Sequence, residues 1–293
     1  MHLVTFRTQD GEHRLGVLSH HNHQEVIVDL HQADPHLPVT LLEFLREGEE
    51  ALNRARRIRE NVPDDAVHLT DTVALGTLIP HPGKIICIGL NYRDHAEEAH
   101  LPLPEVPVVF AKYANTLIGP FEAIVLPRTT QEVDYEAELA CVIGRRGKYI
   151  PATEAMQYIA GYTIFNDVSA RDYQMRTSQW TMGKTCDTFG PLGPALVTSD
   201  EITDPHVLAI RLSINGEVMQ DSNTRHLIFS LPSLIAYLSS VMTLEPGDII
   251  ATGTPAGVGF IRHPPRFLHA GDTVRIEIEG IGVLENPVRA EEG

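Results

Sequence analysis

Along most of the chain, polar and apolar positions alternate in twos. "LVTFRTQDGEHRLGVL" reads as two strands around an Asp10-Gly11 turn, because an Asp-Gly pair between alternating segments favours a tight hairpin. "TLLEFLREGEEALNRARRIRENV" then shifts to helical periodicity and is built from good helix formers. The prolines and glycine of "LIPHPGK" place a boundary near residues 76–83, separating a small N-terminal α+β module (1–78) from a larger domain (79–293). In that domain "KIICIG" reads as a short buried strand and "NYRDHAEEAH" as a polar helix. "VVFAKY", "VDYEAELACVIG" and "AGYTIFNDVS" read as strands, and Asn215-Gly216 marks a hairpin within "LAIRLSINGEVMQDS". "SLPSLIAYLSSVM" is an amphipathic helix with Ser230 as its N-cap. "PGDIIATG" and "AGDTVRIEIEGIGVLENPV" are turn-led strands again. Strands dominate and helices do not alternate regularly with them. The pattern predicts an α+β fold, mainly β, rather than a doubly wound sheet.

Composition narrows the function. The 293 residues are 43% hydrophobic and 21% charged, the balance of a globular protein. A formal charge of −16 disfavours nucleic acid and anionic membrane as partners, since phosphate binding needs basic patches. No stretch approaches the ~20 apolar residues of a membrane span. The opening "MHLVTFRTQDGEHRL" carries neither a basic end nor an apolar core, so no export signal is expected. Cys87, Cys141 and Cys186 are scattered without metal-type spacing. They read as reduced thiols of a cytoplasmic protein.

Glu136 and Glu138 carry the first chemical signal. Two residues apart in a strand, their like charges share a face and repel. A lone Glu-x-Glu is commonly a wet strand edge. Here Tyr135, Ala137, Leu139 and Cys141 form a core-like opposite face, and Ala140 and Val142 continue the carboxylate face with apolar residues. Carboxylates paired in a covered cleft need a cation, and an all-oxygen set suits Mg²⁺, Mn²⁺ or Ca²⁺. Asp167, at the end of the apolar strand in "YTIFNDVSARDYQ", is either a turn or cap residue or the third ligand. Asp134 precedes the pair on the same face.

His95 and Glu98 lie one helical turn apart, so the carboxylate can orient the imidazole and raise its basicity; a solvated turn is the ordinary alternative. His95 and Glu97 diverge on a helix, and no later histidine has a ligand context, which disfavours an iron oxygenase. Lys184 sits in the glycine- and proline-rich "WTMGKTCDTFGPLGP", as a surface lysine or as a cation over an anionic substrate. "ATGTPAGVG" matches neither the dinucleotide fingerprint nor the Lys-containing phosphate loop, though its amides can bind a carboxylate.

The order of these motifs is more specific than any one of them. "GLNYRDHAEEA", "VDYEAELACVIG", "NDVSARDYQ", "WTMGKTCDTFGPLGP" and "ATGTPAGVG" together resemble the fumarylacetoacetate hydrolase family, especially its shorter members, over roughly residues 80–290. The resemblance implies a β-roll main domain, a homodimer, and Mg²⁺ or Mn²⁺ held by Glu136, Glu138 and Asp167. It implies a catalytic His95–Glu98 dyad on a lid, Lys184 as a further catalytic residue, and Arg171, Gln174 and Thr254 as substrate contacts. The implied substrate is a small 2-oxo or 2,4-dioxo acid, and the intact dyad favours carbon–carbon bond hydrolysis of the acylpyruvate or fumarylacetoacetate type. Oxaloacetate decarboxylation and isomerisation or hydration of a 2-hydroxy-dienoate use the same site. A metal-dependent dicarboxylate binder without catalysis is the alternative of another class. Asp134 has no counterpart among the family's ligands.

Overall fold

Two-residue alternation becomes a long mixed sheet in the computed structural model, which describes every residue except 9, 22, 23 and 293. Its main path runs Val67–Leu69, Gln24–Asp29, His13–His21, His2–Arg7, Gly190–Thr198, Ile159–Asn166, Ala137–Ile143, Ile249–Ala251, Ile85–Gly89 and Val108–Lys112. A five-stranded sheet is ordered Glu217–Asn223, Ala209–Ile214, Thr273–Ile278, Gly282–Ala290 and Ile124–Leu126. The fold is α+β and mainly β, as the alternation predicts.

Local chemistry explains both the agreements and the departures. Asn215 and Gly216 have φ of 52° and 85°, the left-handed pair that a two-residue hairpin requires, and they join Ile214 to Glu217. The helical stretch after Thr40 is not continuous. Gly48, at φ 67°, divides it into Leu41–Glu47 and Glu49–Glu60, and Thr40 caps the first by accepting from the Glu43 amide. Ser230 stands at the N-cap of Leu231–Val241, but its side chain makes no cap bond; the Leu231 amide donates to His206 Nε2 instead.

The sheet also joins the N-terminal module to the larger domain. His2 and Leu3 pair with Val197 and Leu196, so the strands of residues 1–78 extend the same sheet as those of the larger domain. Strand Ala137–Ile143 is buried along its whole length. Leu139, Cys141 and Ile143 belong to a core with Ile210 and Ile276 of the five-stranded sheet and Leu234 of the late helix. Ala140 and Val142 belong to a second core with Leu3, Phe44 and Leu45. Each such aliphatic side chain, fully buried, contributes about 1.5–3 kcal/mol, so the strand is fixed from both sides.

Candidate active site

The two glutamates do not lie on one uninterrupted strand. Val133–Asp134 pairs with Ser169–Ala170, and Ala137–Ile143 pairs with Ile159–Asn166; Tyr135 and Glu136 lie at the break between them. The expectation of a single strand over 133–144 is corrected accordingly. The Asn166 side chain accepts from the Glu136 amide at 3.1 Å, and the Asp167 amide donates to the Glu136 carbonyl at 2.9 Å. These bonds satisfy backbone groups that the ladder leaves unpaired. Glu136, Glu138 and Asp167 are all buried, and each offers an oxygen within 4.8 Å of the others.

Positive side chains surround this cluster. Lys184 donates to Glu136 Oε2 at 2.7 Å and to Asp167 Oδ2 at 2.8 Å. It closes a short helix, Thr181–Lys184, instead of lying in an open loop, and is fully buried. Burial alone would lower its ammonium's pKa, but Asp167 and Glu136 outweigh that and hold it above its ordinary value. Lys112 donates to Asp167 Oδ1 at 2.7 Å. Arg171 pairs with Glu136 Oε1 at 2.7 Å and Asp134 Oδ2 at 2.9 Å, donates to Gln174 Oε1 at 2.9 Å, and lies 4.3 Å over the Phe260 ring. Burial would raise the Glu136 carboxyl, yet Lys184 and Arg171 bring it down to about 2.

Glu138 is the exception. Lys112, Lys184 and Arg171 are paired with Asp134, Glu136 and Asp167, and among the described residues no cation pairs with Glu138. Among the described residues it accepts only the Gly253 amide, at 2.8 Å. Burial first, then the charges of Asp167 and Glu136, push its carboxyl well above the usual range. The donor set therefore fits a hard divalent cation: three carboxylates converge through oxygen, and one lacks positive charge.

The candidate proton-transfer residue His95 faces the same space, with Glu98 beside it. His95 and Glu98 lie on the helix Arg93–Glu98, with His95 Nδ1 buried, without a hydrogen-bond partner, and 3.8 Å from Glu98 Oε2. The Gly257 amide donates to Glu98 Oε2 at 2.9 Å. Burial would raise the Glu98 carboxyl; His95 and the Gly257 amide outweigh it and hold it below the usual range. A cavity of about 240 Å³ is lined by His95, Glu136, Glu138, Arg171, Gln174, Lys184 and Thr254, with Phe110, Trp180 and Phe260 among its apolar walls. Gln220 donates to the Thr254 hydroxyl at 2.8 Å and accepts from the Ala137 amide at 2.9 Å, tying the glycine-rich segment to the carboxylate strand.

Of the candidate site residues, His95, Glu136, Glu138, Arg171, Gln174, Lys184 and Thr254 line this cavity, Asp167 joins the carboxylate cluster, and Glu98 stands beside His95. Two charged partners were not foreseen. Lys112 ends a strand whose burial alternates over Val108–Lys112, so a lysine in register with Val108 and Phe110 was the available signal. Asp134 is fully buried and engages Arg171, a role that sequence separation hides.

Comparison with known proteins agrees with this geometry. Residues 84–289 match the model of the fumarylacetoacetate (FAA) hydrolase C-terminal family. The chain belongs to the fumarylacetoacetate hydrolase family. It is 50% identical over 265 residues to the oxaloacetate tautomerase FAHD2A, mitochondrial, of Bos taurus, covering 89% of this chain and 83% of that one. Fumarylacetoacetate hydrolase from psychrophilic Exiguobacterium antarcticum superposes with a TM-score of 0.85 at 36% identity, over 99% of this chain and 100% of that one. Maleylpyruvate hydrolase from Sphingobium sp. SYK-6, in complex with manganese (II) ion and pyruvate, gives 0.82 at 32% identity, with 100% of both chains covered. The family's enzymes thus include tautomerases and hydrolases of small acids. The expectation of a cytoplasmic protein is corrected here: the relatives from Bos taurus, Xenopus laevis and Homo sapiens are named as mitochondrial.

Proposed function

We propose that this chain interconverts the keto and enol forms of a small 2-oxo dicarboxylic acid such as oxaloacetate, with Mg²⁺ or Mn²⁺ at Glu136, Glu138 and Asp167. The observation that carries the proposal is a single proton-transfer pair, His95–Glu98, on the same small cavity as a carboxylate cluster short of positive charge. The half-identical tautomerase relative supports it. A bound divalent cation would supply Lewis-acid stabilisation of the enolate. His95 moves the proton at the carbon beside the ketone, and Glu98, anchored by the Gly257 amide, orients and balances the imidazole. Lys184 offers a compact positive charge to substrate oxygens, and Phe110 and Trp180 limit access of water. Arg171 and Gln174 keep the wall in shape, and Thr254 presents a hydroxyl already fixed by Gln220. No carbon–carbon bond breaks and no water is consumed.

Hydrolysis of an acylpyruvate is the second reading, supported by the maleylpyruvate hydrolase neighbour. It asks His95 to deprotonate water instead of carbon. The two are separated by following enol absorbance of fresh oxaloacetate and pyruvate release from acylpyruvates, each with Mn²⁺ and with chelator. Loss of enol signal without pyruvate release is expected. Pyruvate release from an acylpyruvate at a higher kcat/KM would reverse the order, and activity indifferent to chelator would refute the metal reading. We propose also that two copies associate, since Leu101, Val106, Met175 and Met182 leave large apolar side chains exposed. Light scattering is expected to give the mass of a dimer.

A further inference from the structure

We infer that Asp134 is a positioning residue that locks the carboxylate cluster and the His95–Glu98 dyad into one frame. The inference rests on reading Glu136, Glu138 and Asp167 as cation ligands. Asp134 is wholly buried and its carboxylate is saturated. Oδ1 accepts the amides of Tyr135 at 2.8 Å and Gly259 at 2.7 Å. Oδ2 accepts the Phe260 amide at 3.1 Å and Arg171 Nε at 2.9 Å, with Arg171 NH2 also 2.9 Å away.

Two arms leave this carboxylate. The first passes through Arg171, whose planar fork reaches Asp134 with one edge and Glu136, at 2.7 Å, with NH2. Asp134 therefore shares a positive charge that would otherwise belong to Glu136 alone and compete with a cation there. The second arm is the segment 257–260. Asp134 holds its Gly259 and Phe260 amides, while the Gly257 amide of the same segment holds Glu98. Phe260 lies over the Arg171 guanidinium and lines the cavity, closing the frame. Buried charges fixed by several hydrogen bonds move little, which is what a site holding its groups to within fractions of an ångström requires.

The test uses Mn²⁺ binding by the full chain, read as free Mn²⁺ by electron paramagnetic resonance, and amide exchange of the 255–262 segment. Asp134→Asn turns an amide donor toward donors and removes the charge shared with Arg171. It is expected to weaken Mn²⁺ at least tenfold and to speed exchange of that segment. In an Arg171→Gln background the same substitution should change Mn²⁺ affinity less than twofold. Arg171→Lys keeps the charge and the three amide bonds of Asp134 but cannot span both carboxylates. It should weaken Mn²⁺ while leaving exchange near wild type, and it carries the test if Asp134→Asn does not fold. Unchanged Mn²⁺ affinity in Arg171→Lys, or an equal effect of Asp134→Asn in both backgrounds, overturns the inference. A wild-type chain that binds no Mn²⁺ refutes the cation reading itself, a distinguishable outcome.

Discussion

Glu138 shows how one unpaired charge shapes the site. Three cationic side chains face four buried carboxylates, and Glu138 is the one without a cationic partner. Its carboxyl is raised above the ordinary 4.5, so the metal-free folded state keeps a proton that the unfolded chain gives up. Stability from this group is therefore greatest below 4.5 and is lost as pH rises through its folded value. Glu136 runs the other way: its contribution is present above 4.5 and is lost as pH falls from 4.5 toward 2. A cation competes with that proton, and it relieves the crowded charges most where Glu138 is ionised. The increase in melting temperature caused by Mn²⁺ should thus grow as pH rises above 4.5, and a gain independent of pH would count against this account. Glu138→Gln should leave the metal-free melting temperature equal or higher while weakening Mn²⁺ at least tenfold by calorimetry. For His95→Gln we expect kcat to fall roughly 10²–10⁴-fold, the usual worth of a general acid–base. Mn²⁺ affinity should stay within about twofold, which separates proton transfer from metal holding.

At the scale of elements, turns and breaks are as consequential as strands. Gly216 and Gly257 both have positive φ, 85° and 100°, but their surroundings differ. A Cβ on Gly216 meets nothing within 4 Å, whereas one on Gly257 would sit 2.1 Å from the Met219 carbonyl oxygen. Gly216→Ala should therefore cost about 1–2 kcal/mol in a denaturation experiment, the left-handed penalty alone. Gly257→Ala should cost clearly more and loosen Glu98, lowering kcat as well. Equal costs would mean that the segment yields easily. The helix divided at Gly48 teaches the same lesson from the opposite direction. Its composition favours helix throughout, and the single positive φ, with no side chain to oppose it, lets packing turn the second half.

The whole molecule is held by a sheet that ignores the division of the sequence into a module and a domain. His2 and Leu3 pair with Val197 and Leu196, and Leu3 and Phe44 share a core with Ala140 and Val142, on the strand that carries Glu138. Removing residues 1–78 should leave the edge of Gly190–Thr198 unpaired and that core open. The truncated chain is expected to aggregate or melt at least 10 °C lower than the full chain, judged by size exclusion and calorimetry. A monodisperse fragment with native stability would show that the proposed domain of 79–293 stands alone.

Alternation and turn chemistry made the mainly-β architecture, the Asn215-Gly216 hairpin and the late helix legible, because these depend on period and on local backbone preference. The motif series made Glu136, Glu138, Asp167, His95, Glu98 and Lys184 legible as candidates, since charged groups placed among apolar neighbours need a reason to be there. Their arrangement belongs to tertiary structure. The strand break at Glu136, the reach of Lys112 to Asp167, the engagement of Arg171 with Asp134 and Glu136, and the Gly257 amide on Glu98 join residues tens to more than a hundred positions apart. A linear pattern carries the period of one element and the chemistry of one residue. Which charge ends beside which is decided only when separate strands are buried together and every buried charge must find a partner.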